Sequence, residues 1–132
     1  MLNSVNWIAV LAAAVVNMVV GFLWYSKALF GKKWIQAAGI SDSEMKGAGK
    51  AYIWSFVGAI LMALVLSVFV GYGASDTWTG IQIGFWVWLG FIMPVGLSSV
   101  LFEKTKTTLF WINMGYYLAV LAINGAILAN WM

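Results

Sequence analysis

Apolar side chains form four long stretches along the chain, and short polar connections separate them. Each stretch has about 20 residues or slightly more, which is the length that an α-helix needs to cross the hydrocarbon layer of a bilayer. The pattern therefore predicts four transmembrane helices, at about residues 4–25, 51–72, 78–100 and 109–131. We expect an all-α, four-span transmembrane helical bundle that forms one domain over residues 1–132.

Polar residues stand at the predicted starts of these spans. Their side chains are candidate helix caps, because they accept hydrogen bonds from the free backbone amides of a first turn. The candidates are Asn3 or Ser4 for the first span, Asp76 or Thr77 for the third, and Thr107 or Thr108 for the fourth.

The connection between the first two spans has the pattern of a helix that lies on a membrane surface. Residues 28–38 mix apolar side chains with lysines, as a short interfacial helix does, and Gly39 is expected to end this helix. The sequence Ser41-Asp42-Ser43-Glu44 then has the spacing of a capping box. The second long helix is therefore expected to begin near Asp42.

Aromatic and basic side chains meet where the first span ends. Aromatic rings of this kind lie among lipid headgroups, while lysine stems reach outward to water. The predicted interfacial anchors are Trp24, Tyr25, Lys27, Lys32, Lys33 and Trp34. Anionic lipid headgroups are the expected neighbours of the lysines.

Three sequence segments carry a family resemblance. They are WYS followed by LFGKKW at the end of the first span, GFWVWLGF in the third span, and LFEKTKTTLFWIN before the last span. Together they resemble the DUF1761 family of small membrane proteins, over nearly the whole chain. The resemblance implies a four-span bundle; it implies no established activity and no catalytic residue.

The distribution of charge predicts how the chain is oriented in the membrane. All seven lysines lie in the loops at residues 26–50 and 101–108. Since loops rich in lysine stay on the cytoplasmic side of a membrane, both loops are expected to be cytoplasmic and both termini outside. We expect the location to be the cytoplasmic membrane of a bacterium. Only 8% of the residues are charged, against roughly a quarter in soluble proteins.

Small residues recur at four-residue spacing in three of the spans. Such rows let two helices approach closely within a membrane. The candidate packing residues are Ala9, Ala13 and Gly21 in the first span, Ser55, Ala59, Ala63, Ser67 and Gly71 in the second, and Gly80 and Gly84 in the third. They offer more close-packing surface than one bundle needs, so the sequence predicts a homo-oligomer or an accessory subunit of a larger membrane complex.

The third span is the least uniform. Pro94 lacks a backbone N–H and clashes with the preceding turn, so a bend is expected near Gly90 to Pro94. Trp86 and Trp88 lie about 200° apart around a helix, so only one can face the bundle centre. If Trp86 faces inward beside Gln82, the two side chains line a pocket for a lipid or an apolar ligand; packing against small residues is the alternative.

Four amide side chains lie inside the spans and away from their outer ends, where burial of an unpaired polar group costs free energy. By depth, the sequence predicts two pairs, Asn17 with Asn113 and Gln82 with Asn124. Structurally, these are contacts between helices worth about 0.6–2 kcal/mol each. Functionally, they are a polar path for an ion or a small solute. The second interpretation makes the protein a conduit or binding protein for an ion, a lipid or a small apolar solute.

The composition argues against most catalytic chemistry. The chain has no cysteine and no histidine, which removes thiol chemistry and most transition-metal sites. It has no arginine, and the position of its lysines is explained by topology, so no nucleic-acid partner is expected. The four carboxylates lie at predicted helix starts or in loops. We expect no enzyme activity, no cofactor and no metal.

Overall fold

The computed structural model describes residues 5–26, 29–38, 49–103 and 106–131. These residues form helices and connections, with no strand among them. The helices are α1 (Trp7–Trp24), α2 (Gly31–Ala38), α3 (Gly49–Gly73), α4 (Thr77–Val87), α5 (Met93–Phe102) and α6 (Thr107–Asn130), and a π-helix, Trp88–Ile92, joins α4 to α5. The predicted all-α class is confirmed.

Four helical segments are long and apolar enough to cross a membrane: α1, α3, the continuous third span Thr77–Phe102, and α6. The fourfold pattern of apolar stretches therefore corresponds to four spans of a membrane protein. The short α2 is the helix expected in the first connection. The expected helix end at Gly39, the helix start near Asp42 and the anchor Lys27 lie outside the described residues.

The last helix, α6, is the centre of the bundle. It packs against α1, α3 and α4, and its most extensive contact is with α4. On the other side of the bundle, α1 and α3 pack against each other. The principal core cluster consists of Ala9, Val10, Ala13, Ala63, Leu66, Val70, Leu121 and Leu128, which come from α1, α3 and α6.

Helix caps agree with the sequence prediction at one span and differ at two. Asp76 caps α4: its carboxylate accepts a hydrogen bond from the Thr79 N–H at 2.9 Å. This bond and a second one from the Thr79 hydroxyl hold the pKa of the Asp76 carboxyl below its usual value. By contrast, α6 begins after Lys106 with no side-chain cap, so the prediction of Thr107 or Thr108 is wrong.

The cap of α1 is Asn6, because the helix begins three residues later than predicted, at Trp7. The Asn6 Oδ1 accepts from the Ala9 N–H at 3.2 Å, and its Nδ2 donates to the Trp131 carbonyl oxygen at 2.7 Å. One side chain thus caps the first span and ties it to the end of the last. The alternatives Asn3 and Ser4 lie outside the described residues.

Glycines bring α4 and α6 into backbone contact. A Cβ atom on Gly80 would overlap the carbonyl oxygen of Gly125, and a Cβ atom on Gly84 would overlap that of Leu121. The GxxxG pair of the third span therefore packs inside the chain. Its partner surface on α6 is also small, since Gly125 and Ala129 are four residues apart and both lie against Gly80.

The rows of small residues in the first two spans lie largely inside the bundle as well. Ala9 and Ala13 on α1 are fully buried, as is Ala63 on α3. Ala59 and Ser67 are buried on the same helix, and only Ser55 and Gly71, near its ends, are exposed. The expected surplus of close-packing surface is therefore not present in these rows.

The π-helix lies where the sequence places an irregularity. Pro94 has no N–H to donate to the carbonyl of Gly90, four residues before it. The Met93 N–H instead donates to the carbonyl of Trp88, five residues before it. The wider turn lets the third span pass its proline as one continuous helix, and α5 then contributes no buried residue to the bundle.

Substitution of Gly80 tests the importance of the α4–α6 contact. We expect Gly80→Ala to lower the free energy of unfolding by about 1–3 kcal/mol, because the added methyl group forces the two backbones apart. Gly58→Ala is the matched control, since a Cβ atom there meets nothing within 4 Å. It should be neutral or stabilising by about 1 kcal/mol. Unfolding by sodium dodecyl sulfate in mild detergent measures both, and equal effects would contradict the assignment.

Candidate functional site

Two tyrosine hydroxyls meet two asparagine side chains near the lysine-bearing end of the bundle. Tyr25 donates to the Asn113 Oδ1 at 2.6 Å. Tyr116 donates to the side-chain oxygen of Asn17 and also lies 3.2 Å from its carbonyl oxygen. The rings of Tyr25 and Tyr116 are 5.4 Å apart, so the two pairs form one unit. We call Asn17, Tyr25, Asn113 and Tyr116 the hydroxyl–amide cluster.

A small residue makes room for this cluster. Gly21 lies one turn after Asn17 on α1, and a Cβ atom there would come within 3.1 Å of the Tyr116 hydroxyl oxygen. The row of small residues on α1 therefore makes two kinds of contact along its length. Its first half packs in the apolar core, and its second half leaves space for a phenol ring from α6.

The end of the first span turns back onto the bundle. The Trp24 indole N–H donates to the Ile112 carbonyl oxygen at 3.0 Å, and the Trp24 ring lies 4.8 Å from Phe30. The Tyr25 ring lies 5.8 Å from Trp34, which carries the contact into α2. Three predicted interfacial anchors, Trp24, Tyr25 and Trp34, thus hold the first loop against the bundle, whereas Lys32 and Lys33 are exposed.

The predicted amide pairs are not formed among the described residues. Asn17 bonds to Tyr116 and Asn113 bonds to Tyr25, so each amide meets a phenol from the other helix. A tyrosine reaches further than an asparagine, which lets a hydroxyl span the distance between two helices that an amide pair does not. Gln82 and Asn124 do not pair either, because both polar atoms of the Asn124 side chain lack a hydrogen-bond partner among the described residues.

Tyr116 is the member of the cluster that the sequence analysis did not use. A phenol hydroxyl within a span needs a hydrogen-bond partner when it is buried. The position of Tyr116, three residues after Asn113 and inside a span, is the signal that identifies it. The sequence analysis assigned Tyr25 only to the membrane–water interface, although its hydroxyl also reaches Asn113 in the first half of α6.

Asn124 has no hydrogen-bond partner in the described part of the chain. Both its Oδ1 and its Nδ2 are buried and unpaired. The buried Ser67 differs, since its hydroxyl donates to the Leu64 carbonyl at 2.6 Å. An unpaired buried polar group costs about 1–3 kcal/mol, so Asn124 is the least favourable polar position of the described core.

The third span presents Trp88, and not Trp86, to the bundle. The Trp88 indole N–H donates to the Met114 carbonyl oxygen at 2.9 Å. Trp86 is 63% exposed and Gln82 is exposed one turn before it. The interpretation in which Trp86 faces inward beside Gln82 and lines a pocket is therefore wrong. Both side chains lie on the exposed surface of the third span.

The chemistry available at the cluster is hydrogen bonding between neutral groups. Four uncharged side chains supply hydroxyl and amide groups, and none of them is a carboxylate or an amine. The described residues contain no group of three or more metal-binding side chains. The arrangement therefore holds helices together, and the absence of enzyme activity stays a prediction.

Removal of the Tyr116 hydroxyl tests the cluster. We expect Tyr116→Phe to lower the free energy of unfolding by about 1–3 kcal/mol, because the Asn17 side-chain oxygen, in a residue only 5% exposed, loses its donor. Tyr117→Phe is the control, since its hydroxyl makes no hydrogen bond among the described residues. A larger loss in Tyr117→Phe would contradict the assigned bonds.

Replacement of Asn124 has the opposite expected sign. Asn124→Leu should raise the free energy of unfolding by up to about 3 kcal/mol, because the variant removes two unpaired polar atoms from an apolar core. Asn17→Leu should lower it, since the Tyr116 hydroxyl then loses its side-chain acceptor and keeps only the longer contact with the backbone carbonyl. Detergent unfolding of the two variants side by side measures the difference. A destabilised Asn124→Leu would mean that this amide has a partner.

Comparison with known proteins adds one relationship. Neither the curated proteins nor the solved structures contain a match to this chain. A family model covers residues 8–129, which include nearly all of the four spans and the whole hydroxyl–amide cluster. The chain therefore belongs to the family described as "Protein of unknown function (DUF1761)".

Proposed function

We propose that this protein is a non-catalytic membrane subunit that associates sideways with a second copy of itself through the third span. One observation carries the proposal: two polar side chains of that span, Gln82 and Trp86, are exposed and have no hydrogen-bond partner among the described residues. The Gln82 carboxamide and the Trp86 indole N–H lie one turn apart. In hydrocarbon, such groups are stabilised when another helix supplies partners.

The face that carries them continues along the helix. Gln82, Trp86, Gly90 and Pro94 follow one another at four-residue spacing, and all four are exposed. A four-residue step turns an α-helix by about 400°, so the row drifts around the helix. The π-helix at Trp88–Ile92 adds a residue to the turn and reduces this drift between Trp86 and Pro94. We call these four residues the lateral face.

The lateral face suits a helix partner in two respects. Gly90 has nothing within 4 Å of the position of a Cβ atom, so a neighbouring backbone can approach it closely. A carboxamide is both a donor and an acceptor, so Gln82 can pair reciprocally with Gln82 of the partner subunit. Two copies inserted in the same orientation are related by a two-fold axis along the membrane normal, which brings equivalent residues together.

The internal packing supports this choice of surface. The GxxxG pair and most of the small residues of the first two spans are buried within one chain. The third span contributes no buried residue in its second half. The lateral face, by contrast, is exposed along its length and is available to a second copy or to a helix of a larger complex.

For orientation, we infer that the loops at residues 26–50 and 101–108 are cytoplasmic and that both termini are outside, in a bacterial cytoplasmic membrane. Lys32, Lys33, Lys50 and Lys106 are exposed in or beside these loops, where they are available to anionic headgroups. The bond from Asn6 to the Trp131 carbonyl lies at the opposite end of the bundle. The positive-inside rule places the lysine-rich end of a bundle on the cytoplasmic side of the membrane.

Cross-linking tests the lateral face. The chain has no cysteine, so a single introduced cysteine reports one position. We expect Gly90→Cys to form a disulfide-linked dimer in native-like vesicles, and Gly58→Cys, also open but on the second span, to form none. Gln82→Leu should weaken association threefold to thirtyfold, which corresponds to about 0.6–2 kcal/mol. Energy transfer between labelled copies at increasing protein density measures this change.

The outcomes separate the alternatives. If Gly90→Cys forms adducts with a different membrane protein and none between copies, the protein is an accessory subunit and not a dimer. A protein that stays monomeric at every density and forms no adduct in native membranes would contradict both.

A further inference from the structure

The second span, α3, is held in the bundle differently from the other spans. Side chains of α1 and of the third span form hydrogen bonds with α6, as Trp24, Tyr25 and Trp88 do. Among the described residues, α3 forms no hydrogen bond with another helix, and its buried Ser67 donates to Leu64 of α3 itself. Apolar contacts therefore attach α3 to the bundle, and such contacts give little free energy where the competing solvent is lipid.

An unpaired amide on α6 points toward the contact between α6, α1 and α3. Leu121 and Leu128 lie one turn before and one turn after Asn124, and both belong to the core cluster that α6 forms with α1 and α3. Steps of three and four residues keep side chains on one face of a helix, so Asn124 shares that face. Its two polar atoms are buried there without a partner among the described residues.

Polar groups continue from Asn124 toward the lysine-bearing end of the bundle only. Tyr117 lies seven residues earlier on α6 and therefore points in nearly the same direction. It is half-buried, and its hydroxyl makes no hydrogen bond among the described residues. Toward the opposite end, Leu128, Val10 and Val70 are at most 2% exposed and apolar. The contact is thus lined with polar groups on one side of Asn124 and sealed on the other.

The two ends of α3 are attached differently. Only residues 74–76 separate α3 from α4, which holds the end of α3 that is opposite the lysines beside the third span. At the lysine-bearing end, residues 39–48 separate α2 from α3. The first residues of α3, 49–55, are all exposed. The lysine-bearing end of α3 is therefore the end that can move with the smaller loss of contacts.

We propose that the lysine-bearing half of α3 moves away from α6 and admits water to Tyr117 and Asn124. The closed bundle leaves the Asn124 amide unpaired, whereas water supplies it with both donors and acceptors. This difference favours the hydrated state by about 5–150-fold relative to a bundle with an apolar side chain at this position. The amide that makes the closed core less stable is thus the residue that makes its opening accessible.

Single introduced cysteines test the opening. Ala59 and Ser67 lie on α3 and are each 3% exposed, so the closed structure predicts equally low reactivity at both positions. We expect Ala59→Cys to react with a water-soluble, membrane-impermeant maleimide added on the side of the lysine loops. A thiol reacts as its thiolate, which forms in water and not in an apolar core. Ser67→Cys should stay unreactive, because it lies one turn before Val70 in the sealed part.

Replacement of the amide closes the bundle. In the background of Asn124→Leu, the reaction of Ala59→Cys should slow by about fivefold or more, because the closed state no longer contains an unpaired amide. Asn17→Leu is the matched control: it removes another buried amide, but one that is bonded to Tyr116, and it should not slow the reaction. Gln82→Leu should leave the rate unchanged, since the opening does not involve the lateral face.

A second reporter guards against a variant that fails to fold. Ala63→Cys, one turn after Ala59 on α3, should also react faster than Ser67→Cys. The opening is overturned if neither Ala59→Cys nor Ala63→Cys reacts faster than Ser67→Cys, or if both react only from the side opposite the lysine loops. Rates that Asn124→Leu does not reduce would overturn the role of the amide.

Discussion

A polar group inside a bilayer has no water to bond, and this constraint organises the structure. The indole N–H groups of Trp24 and Trp88 donate to carbonyl oxygens of α6, and the hydroxyls of Tyr25 and Tyr116 donate to asparagines. Each of these side chains comes from one helix and finds its partner on another. Polar pairing thus holds the spans together where apolar burial gives little, since lipid tails are as apolar as the side chains of the core.

Close backbone packing complements this polar pairing. Gly80 and Gly84 lie against the backbone of α6, and the small residues of α1 and α3 form a second close contact. Because α6 takes part in both sets of interactions, it holds the first and third spans in one bundle. Most of these small residues pack within the chain, so a surface for contacts with other molecules has to involve other residues.

The exceptions to polar pairing are the informative positions. Asn124 is buried without a partner inside the core, while Gln82 and Trp86 are exposed and have no hydrogen-bond partner among the described residues. An unpaired polar side chain in the core reduces stability, whereas an unpaired polar side chain on the surface can form a hydrogen bond with a neighbouring molecule. The π-helix and the helix after it, which form the second half of the third span, contribute no buried residue to the core.

The sequence by itself determined that the chain spans a membrane and how many spans it has. It also determined the short helix in the first loop, the cap at Asp76 and the place of the irregular turn. These features follow from apolar length and local backbone chemistry, which neighbouring residues encode. The partners of Asn17 and Asn113, the inward side of the third span and the use of the GxxxG pair were decided by the tertiary structure. They depend on how helices rotate and on how far side chains reach across an interface, as the tyrosine bonds to Asn17 and Asn113 illustrate. Residue spacing places a side chain on a face of its own helix, but only the packed bundle decides which helix that face meets.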